Sequence, residues 1–218
     1  MHIPAIDRTS TFKLLIGLYL PAGLILLAVY LVSVHTDTPV WMFTRDPADI
    51  THSSPFIGIV SNICILLWCA TAAICFFACV ALRNKAHEKM ALFFLLSGLI
   101  TSLLLLDDLF LLHERIFPQY FHWRQRYIYV SYVSIVLAYL VSFRKIIFEN
   151  NFFILALALS FFFLSVVVDC ISAKMGEALP YFHLYEDGFK LFGLASWLGF
   201  YGLTALRALL QPDNLRIK

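Results

Sequence analysis

Charged side chains are scarce in this sequence. Asp, Glu, Lys and Arg make up 14% of its 218 residues, against about 25% in soluble domains. Glycine and proline are also few, at nine and eight residues, and the chain has neither a low-complexity tract nor an internal repeat. In their place, 61% of the residues are hydrophobic and the mean hydropathy is +0.83. This composition excludes an ordinary soluble protein and predicts an integral membrane protein.

Long apolar stretches account for the hydrophobicity. Six of them reach the roughly 17–25 residues that a helix needs to cross the hydrocarbon layer, near residues 12–34, 57–82, 90–111, 127–143, 152–170 and 187–210. None has the strict alternation over about 10 residues that marks a barrel strand. The predicted fold is therefore all-α: a polytopic bundle of about six transmembrane helices in a single domain, residues 1–218. Its first helix is expected to be retained, and to be kinked or to start afresh at Pro21.

The basic residues predict the orientation of the bundle. Ten of the 16 Lys and Arg residues fall on one side of the predicted spans: Arg8, Lys13, Arg83, Lys85, Lys89, Arg144, Lys145, Arg207, Arg216 and Lys218. Ten of the 14 acidic residues and five of the seven histidines fall on the other side. Because Lys and Arg are enriched in cytoplasmic loops, both termini are predicted to be cytoplasmic. No continuous basic surface remains for nucleic acid.

The cysteines and histidines argue against two kinds of chemistry. Four of the five cysteines, Cys64, Cys69, Cys75 and Cys79, lie in the second predicted span. Free cysteine behaves there as a small buried hydrophobe, so no disulfide framework is predicted. No two spans carry histidines at mid-membrane depth, so we expect no haem, and we expect no nucleotide cofactor.

An unusual cluster of ionisable residues ends the third predicted span. Asp107 and Asp108 are followed closely by His113 and Glu114. At a rise of about 1.5 Å per residue, Asp107 lies roughly 26 Å along a helix counted from Met90, just beneath the outer boundary. On a continuous helix Asp107 and Glu114 would share one face, while His113 would point about 100° away from Glu114. Ionisable groups at such depth are candidate functional residues.

Two other spans bring ionisable groups to the same outer layer. Asp169 lies roughly 27 Å along the fifth span, counted from Asn151. The sixth span begins with His183, Glu186, Asp187 and Lys190, and the separations of three and four residues place His183 beside both acids on a helix. Imidazole and carboxylate groups are suitable ligands for zinc or a similar divalent ion.

Structural explanations remain open for each of these residues. The acids are suitable end charges for a span, and Glu186 and Asp187 suit the N-terminus of a helix. Lys190, about one turn deeper, is expected to pair with an anion, with Glu186 the nearest candidate. The hydroxyls of Ser97, Thr101 and Ser165 are expected to bond to backbone or neighbouring helices rather than act as nucleophiles.

The leading functional hypothesis is an outward-facing membrane enzyme in the plasma (inner) membrane. It would be a metal-dependent hydrolase or transferase acting on a lipid or lipid-linked substrate, with a metal-activated water and a carboxylate as general base. The predicted catalytic residues are Asp107, Asp108, Glu114 and Lys190, and the predicted ligands of a divalent metal are His113, Asp169, His183, Glu186 and Asp187.

Two other classes of function remain open. The same carboxylates would suit the outer vestibule of a cation or proton transporter, although no ionisable residue is evident at mid-depth in the inner half. Alternatively, the chain is an accessory subunit whose acidic layer binds a partner in a membrane complex. Membrane lipids are the expected partners in every case, and oligomerisation is compatible with the sequence.

Overall fold

Every regular element in the described part of the chain is a helix. The computed structural model describes residues 8–83, 87–175 and 181–210. Within these ranges five helices are long and apolar enough to cross a membrane: Leu15–Thr36, Ile59–Ala81, Glu88–Phe110, Phe152–Ser172 and Phe182–Leu210. The chain is therefore an all-helical, multi-pass membrane protein, which confirms the fold class predicted from composition.

The contacts divide the chain into two units, Met1–Ile57 and Gly58–Lys218. The first contains α1 (Arg8–Thr36), α2 (Trp41–Thr44) and α3 (Pro47–Ile50). Helix α1 is continuous through Pro21, so the helix does not start afresh there. The second unit contains α4 (Ile59–Ala81), α5 (Glu88–Phe110), α6 (Phe117–Phe121), α7 (Gln125–Ser142), α8 (Arg144–Glu149), α9 (Phe152–Met175) and α10 (Phe182–Leu210). The single-domain organisation stays a prediction.

Two of the predicted spans differ from the helices that the structure contains. The stretch 127–143 corresponds to α7, a helix of 18 residues that is not among the five apolar helices. Its four tyrosines and three serines lower its hydropathy. The last helix, predicted from 187, already begins at Phe182, and its first turn contains no acidic residue. Glu186 and Asp187 therefore do not cap this helix. Pro180, which lies just upstream in the sequence and is of a type that suits a helix start, falls outside the described residues.

Large aromatic side chains fill the core of the second unit. Trp68 stacks on Phe162 with ring centroids 5.6 Å apart and meets Trp197 edge-on at 6.2 Å. Aromatic pairs in such offset and edge-to-face arrangements stabilise a core beyond the burial of their area. Gly193 allows the close approach of α9 and α10, because a Cβ atom there would lie 2.7 Å from the Phe162 ring. The core thus joins α4, α9 and α10 around aromatic residues.

A column of buried polar side chains connects α5 to α10. Trp197 Nε1 donates a hydrogen bond to Thr101 Oγ1 at 3.1 Å. Four residues toward the start of α5, Ser97 contacts the Tyr139 hydroxyl of α7 at 2.6 Å, and the Tyr201 hydroxyl of α10 lies 3.2 Å from the same Tyr139 oxygen. Polar pairs inside a membrane bundle each contribute about 0.6 kcal/mol on average and fix the register of the helices.

The register of this column also aligns the end of α5 with the beginning of α10, which are called the outer ends because the basic residues predict that they face outward. Seven residues beyond Thr101 on α5 is Asp108, and seven residues before Trp197 on α10 is Lys190. Because the two helices are antiparallel, equal steps in opposite directions bring these residues to the same level. The Lys190 ammonium contacts Asp108 Oδ1. The core column therefore positions a charged pair at the membrane boundary.

Candidate functional site

A break in the backbone reverses the chain at the outer end of α5. Leu111 has a φ of 52°, in the left-handed region, and its N–H donates to the Asp107 carbonyl. A π-helical turn, Leu112–Ile116, follows directly. A non-glycine residue in this conformation is strained by about 1–3 kcal/mol and persists only where its surroundings compensate. The break places His113 beside Asp107, so the continuous helix assumed from the sequence was wrong here.

Asp107 accepts three hydrogen bonds. Its Oδ2 atom lies 2.5 Å from His113 Nδ1. Its Oδ1 atom accepts the backbone N–H of His113 at 3.0 Å and the hydroxyl proton of Tyr132 at 2.8 Å. The carboxylate is buried, and hydrogen bonds to a buried carboxylate are roughly twice as strong as those between neutral groups. Asp107 therefore fixes both the position and the orientation of the His113 ring.

This pairing assigns the protons of the His113 ring. An ionised carboxylate only accepts hydrogen bonds, so Nδ1 must carry a proton and Nε2 is left as the basic nitrogen. Burial alone disfavours the imidazolium, but the hydrogen bond and negative charge of Asp107, with the charges of Glu114 and Asp169, outweigh it and raise the pKa of His113 above its ordinary value. His113 is thus an oriented base that is protonated more readily than a free histidine.

Tyr129 continues the hydrogen-bonded chain from His113 to α9. Its hydroxyl lies 3.0 Å from His113 Nε2 and 3.4 Å from Asp169 Oδ2. A hydroxyl has one proton, so Tyr129 donates either to the neutral imidazole or to the carboxylate. When His113 is protonated, Nε2–H donates to the tyrosine oxygen and the tyrosine proton turns to Asp169. Asp107, His113, Tyr129 and Asp169 therefore form a chain along which a proton can move.

Lys190 and Asp108 form a second charged pair near these hydrogen-bonded side chains. Lys190 contacts Asp108 across α5 and α10, and the two side chains are 27% and 12% exposed. The partner of Lys190 is therefore Asp108, and the expected pairing with Glu186 was wrong. A regular helix places Glu186 one turn from Lys190, but the α5–α10 register brings Asp108 closer. Asp108 Oδ2 is buried and has no hydrogen-bond partner among the described residues.

These groups line one cavity of about 150 Å³ at the outer ends of α5, α9 and α10. Trp68 of α4 also lines it, and the buried Nε1 atom of this tryptophan has no partner in the described ranges. The volume is ample for several water molecules or a small polar group. Two residues that line the cavity thus carry a buried polar atom, the donor Trp68 Nε1 and the acceptor Asp108 Oδ2, for which the described residues supply no hydrogen-bond partner.

Seven of the nine residues predicted for the site line this cavity. They are Asp107, Asp108, His113, Glu114, Asp169, Glu186 and Lys190. His183 is not among its lining residues; its side chain is 76% exposed, with Nδ1 3.9 Å from Glu186 Oε2. Asp187 does not line the cavity either. The described part of the chain contains no group of three or more His, Cys, Asp or Glu residues arranged to hold a metal ion.

The two tyrosines of the site were not predicted from the sequence. Tyr129 and Tyr132 are three residues apart near the outer end of α7, so both face the same side of this helix. Each directs its hydroxyl to a carboxylate or imidazole on another helix. The available signal was the number of tyrosines in a predicted membrane span, because a buried tyrosine hydroxyl usually has a hydrogen-bond partner.

The comparisons with known proteins identify a family. Residues 19–202 match the family described as "Domain of unknown function (DUF8692)", and the chain belongs to it. The matched range covers all nine predicted site residues. Neither a curated protein nor a solved structure matches the chain.

Proposed function

We propose that this protein is an outward-facing membrane enzyme, a hydrolase or transferase that acts on a lipid or lipid-linked substrate in the plasma (inner) membrane. The observation that supports the proposal most strongly is the His113 ring, oriented by Asp107 and hydrogen bonded through Tyr129 to Asp169. General acid–base catalysis needs such a group, with a basic nitrogen whose tautomer and position are fixed.

The geometry supports a proton-transfer role for His113 and Tyr129. His113 Nε2 accepts the hydroxyl proton of Tyr129 while the tyrosine oxygen accepts a proton from a water or substrate hydroxyl in the cavity. The nucleophile forms its new bond to the substrate as it loses this proton. In the reverse transfer, the bond between the leaving group and the attacked substrate atom breaks, and the imidazolium returns the proton through Tyr129 to the leaving group. Asp107 accepts the hydrogen bond from His113 Nδ1–H throughout and stabilises the imidazolium.

The cavity surroundings suit a polar head group at the membrane boundary. Lys190 supplies a positive charge against a developing oxyanion, and Asp108 balances this charge when no substrate is bound. The unpaired Trp68 donor and Asp108 acceptor match a hydroxyl group, which accepts and donates one hydrogen bond each. A cavity of about 150 Å³ accommodates a head group and leaves the acyl chains in the bilayer.

A divalent metal is a further part of the proposal. Asp169 and Glu186 are the predicted ligands that line the cavity together with His113. Both ring nitrogens of His113 are hydrogen bonded to protein groups, so metal ligation would compete with the proton chain. Elemental analysis of purified protein tests this part: stoichiometric metal that is lost in Asp169→Asn supports it, and metal-free protein with full activity contradicts it.

The enzymatic activity is tested with reconstituted lipid. Purified wild-type protein, His113→Gln and Asp49→Asn are incubated in vesicles of total membrane lipid, and the lipid classes are quantified by mass spectrometry. Asp49 on α3 is exposed and pairs with Arg45, and it does not line the cavity, so it is a suitable control. We expect one lipid class to be converted by wild type and Asp49→Asn, with a loss of about 10²–10⁴-fold in His113→Gln. Identical lipid profiles in all samples would contradict the proposal.

Transport of protons is the second candidate, because polar groups continue inward from the site. The Asp108–Lys190 pair is followed along the same helices by Thr101 with Trp197 and by the hydroxyls at the level of Ser97. Proton flux into vesicles containing the protein, measured with a pH-sensitive dye, separates the two functions. Flux abolished by Asp108→Asn would favour transport, and lipid conversion without flux would favour the enzyme.

A further inference from the structure

A second cavity, of about 410 Å³, lies at the opposite end of the second unit. The residues that line it come from the beginning of α5 and from the junction between α7 and α8. Lys89 in the first turn of α5 lines it together with Arg144 and Lys145 at the start of α8. All three cations are on the side of the membrane that the distribution of basic residues predicts to be cytoplasmic. This cavity is separate from the outer site, and the proposed function does not use it.

The three cations have no counterion among the residues that the structure describes. None of them lies within 4.0 Å of a carboxylate in the part of the chain that the structure describes, and all three side chains are exposed. Three like charges around one cavity repel one another, most strongly where the bilayer lowers the dielectric constant. A bound anion relieves this repulsion. The charges therefore indicate an anionic ligand.

Apart from Ser142, the remaining residues that line the cavity are apolar, and two of them are exposed. Leu92 of α5 and Val141 of α7 line it and are 47% and 67% exposed in the protein alone. At the end of membrane helices such side chains contact the hydrocarbon of the bilayer. The cavity thus combines a cationic rim with an apolar wall that continues toward the membrane interior. A soluble anion matches only the rim, whereas an anionic lipid matches both parts.

We propose that this cavity is a binding site for an anionic phospholipid of the cytoplasmic leaflet. The lipid phosphate contacts Lys89, Arg144 and Lys145, and an acyl chain lies against Leu92 and Val141. Basic pockets between membrane helices on the cytoplasmic side suit lipid head groups of this charge. The arginine supplies a planar pair of donors for the phosphate, and the lysines supply compact positive charges.

The proposal is tested by a lipid titration with matched variants. Purified protein in detergent is titrated with dioleoylphosphatidylglycerol, with dioleoylphosphatidylcholine and with soluble glycerol phosphate, and binding is followed by native mass spectrometry. The test variant is Lys89→Gln/Arg144→Gln/Lys145→Gln. The control is Lys13→Gln/Arg83→Gln/Arg207→Gln, which removes the same charge at exposed positions outside the cavity.

We expect wild type to bind phosphatidylglycerol at least tenfold more tightly than phosphatidylcholine. Each cation near an anionic lipid contributes a factor of about five, so the test variant is expected to bind about 100-fold more weakly and the control within about twofold of wild type. Higher salt weakens binding by wild type because the rim is exposed.

Any of three results would contradict the proposed lipid site. The first is equal affinity for phosphatidylglycerol and phosphatidylcholine, and the second is an equal loss of phosphatidylglycerol affinity in the test and control variants. The third is that glycerol phosphate competes as strongly as the lipid itself. If the triple variant does not fold, Lys89→Gln alone is compared with Arg83→Gln, with an expected difference of about fivefold. The outcome is independent of catalysis at the outer cavity, because no variant changes a residue of that cavity.

Discussion

Replacing Asp107 by asparagine tests the charged hydrogen bond on which the outer site depends. The substitution preserves the shape of the side chain but removes its charge. It leaves an amide that cannot accept equally well from His113 Nδ1, the His113 N–H and the Tyr132 hydroxyl, which the carboxylate accepts at 2.5, 3.0 and 2.8 Å. A hydrogen bond to a charged group contributes about 1.5–3 kcal/mol. We expect the free energy of unfolding to fall by about this amount.

The decrease in the free energy of unfolding caused by Asp107→Asn should depend on pH. The folded pKa of His113 is raised above the ordinary value of about 6.5. Its contribution to stability is therefore complete below about pH 6.5 and is lost as the pH rises through the folded value. Asp107→Asn removes the main cause of this dependence. The difference in the free energy of unfolding between wild type and Asp107→Asn should consequently be larger at acidic pH than at alkaline pH.

Thermal unfolding in detergent measures this difference. For a chain of this size 1 kcal/mol corresponds to about 2–4 °C, so Asp107→Asn should lower the Tm by about 3–12 °C near pH 5.5 and by less near pH 8.5. Asp49→Asn is the control, because its exposed pair with Arg45 contributes only about 0.3–0.5 kcal/mol. Equal losses in the two variants at both pH values would refute the assignment of Asp107.

Further substitutions test three other contacts of the second unit. Asp108→Asn or Lys190→Met alone should lower the free energy of unfolding by about 3 kcal/mol, because each leaves a buried charge without its partner. The double variant should recover most of this loss. Additive losses in a double-mutant cycle would contradict the pairing. Thr101→Val should cost about 1–3 kcal/mol by leaving Trp197 Nε1 without an acceptor, measured by chemical unfolding, and an unchanged midpoint would argue against the column. Gly193→Ala should lower the Tm because its Cβ overlaps the Phe162 ring, and it should do so more than Gly202→Ala, where no atom lies within 4 Å.

The sequence was sufficient to predict most of the membrane-spanning helices and the depth at which the site residues lie. Of the six spans predicted from apolar runs, five correspond to helices long and apolar enough to cross a membrane, and the stretch 127–143 corresponds to α7, which is not among them. The rise of a helix placed Asp107, Asp169 and Glu186 at one depth, and all three line one cavity. Both predictions depend on distance along a single helix, which the regular geometry of helices determines.

The contacts between helices could not be predicted in the same way. Lys190 pairs with Asp108 because antiparallel α5 and α10 have a register set by bulky core residues such as Trp197. His113 meets Asp107 because the backbone turns at Leu111, a residue type with no preference for a left-handed conformation. Such features arise from tertiary packing, so neither periodicity nor local propensity indicates them.

The most direct test of the central proposal compares the rates at which wild type and Asp107→Asn convert the lipid class that wild type consumes in reconstituted vesicles. Both proteins are reconstituted in the same vesicles, and the initial rate of conversion is measured with the lipid in excess at the pH where wild type is fastest. We predict that Asp107→Asn reduces the rate by about 10²–10⁴-fold, because His113 loses the group that fixes its basic nitrogen. An unchanged rate in folded Asp107→Asn protein would contradict the proposal that this pair performs acid–base catalysis.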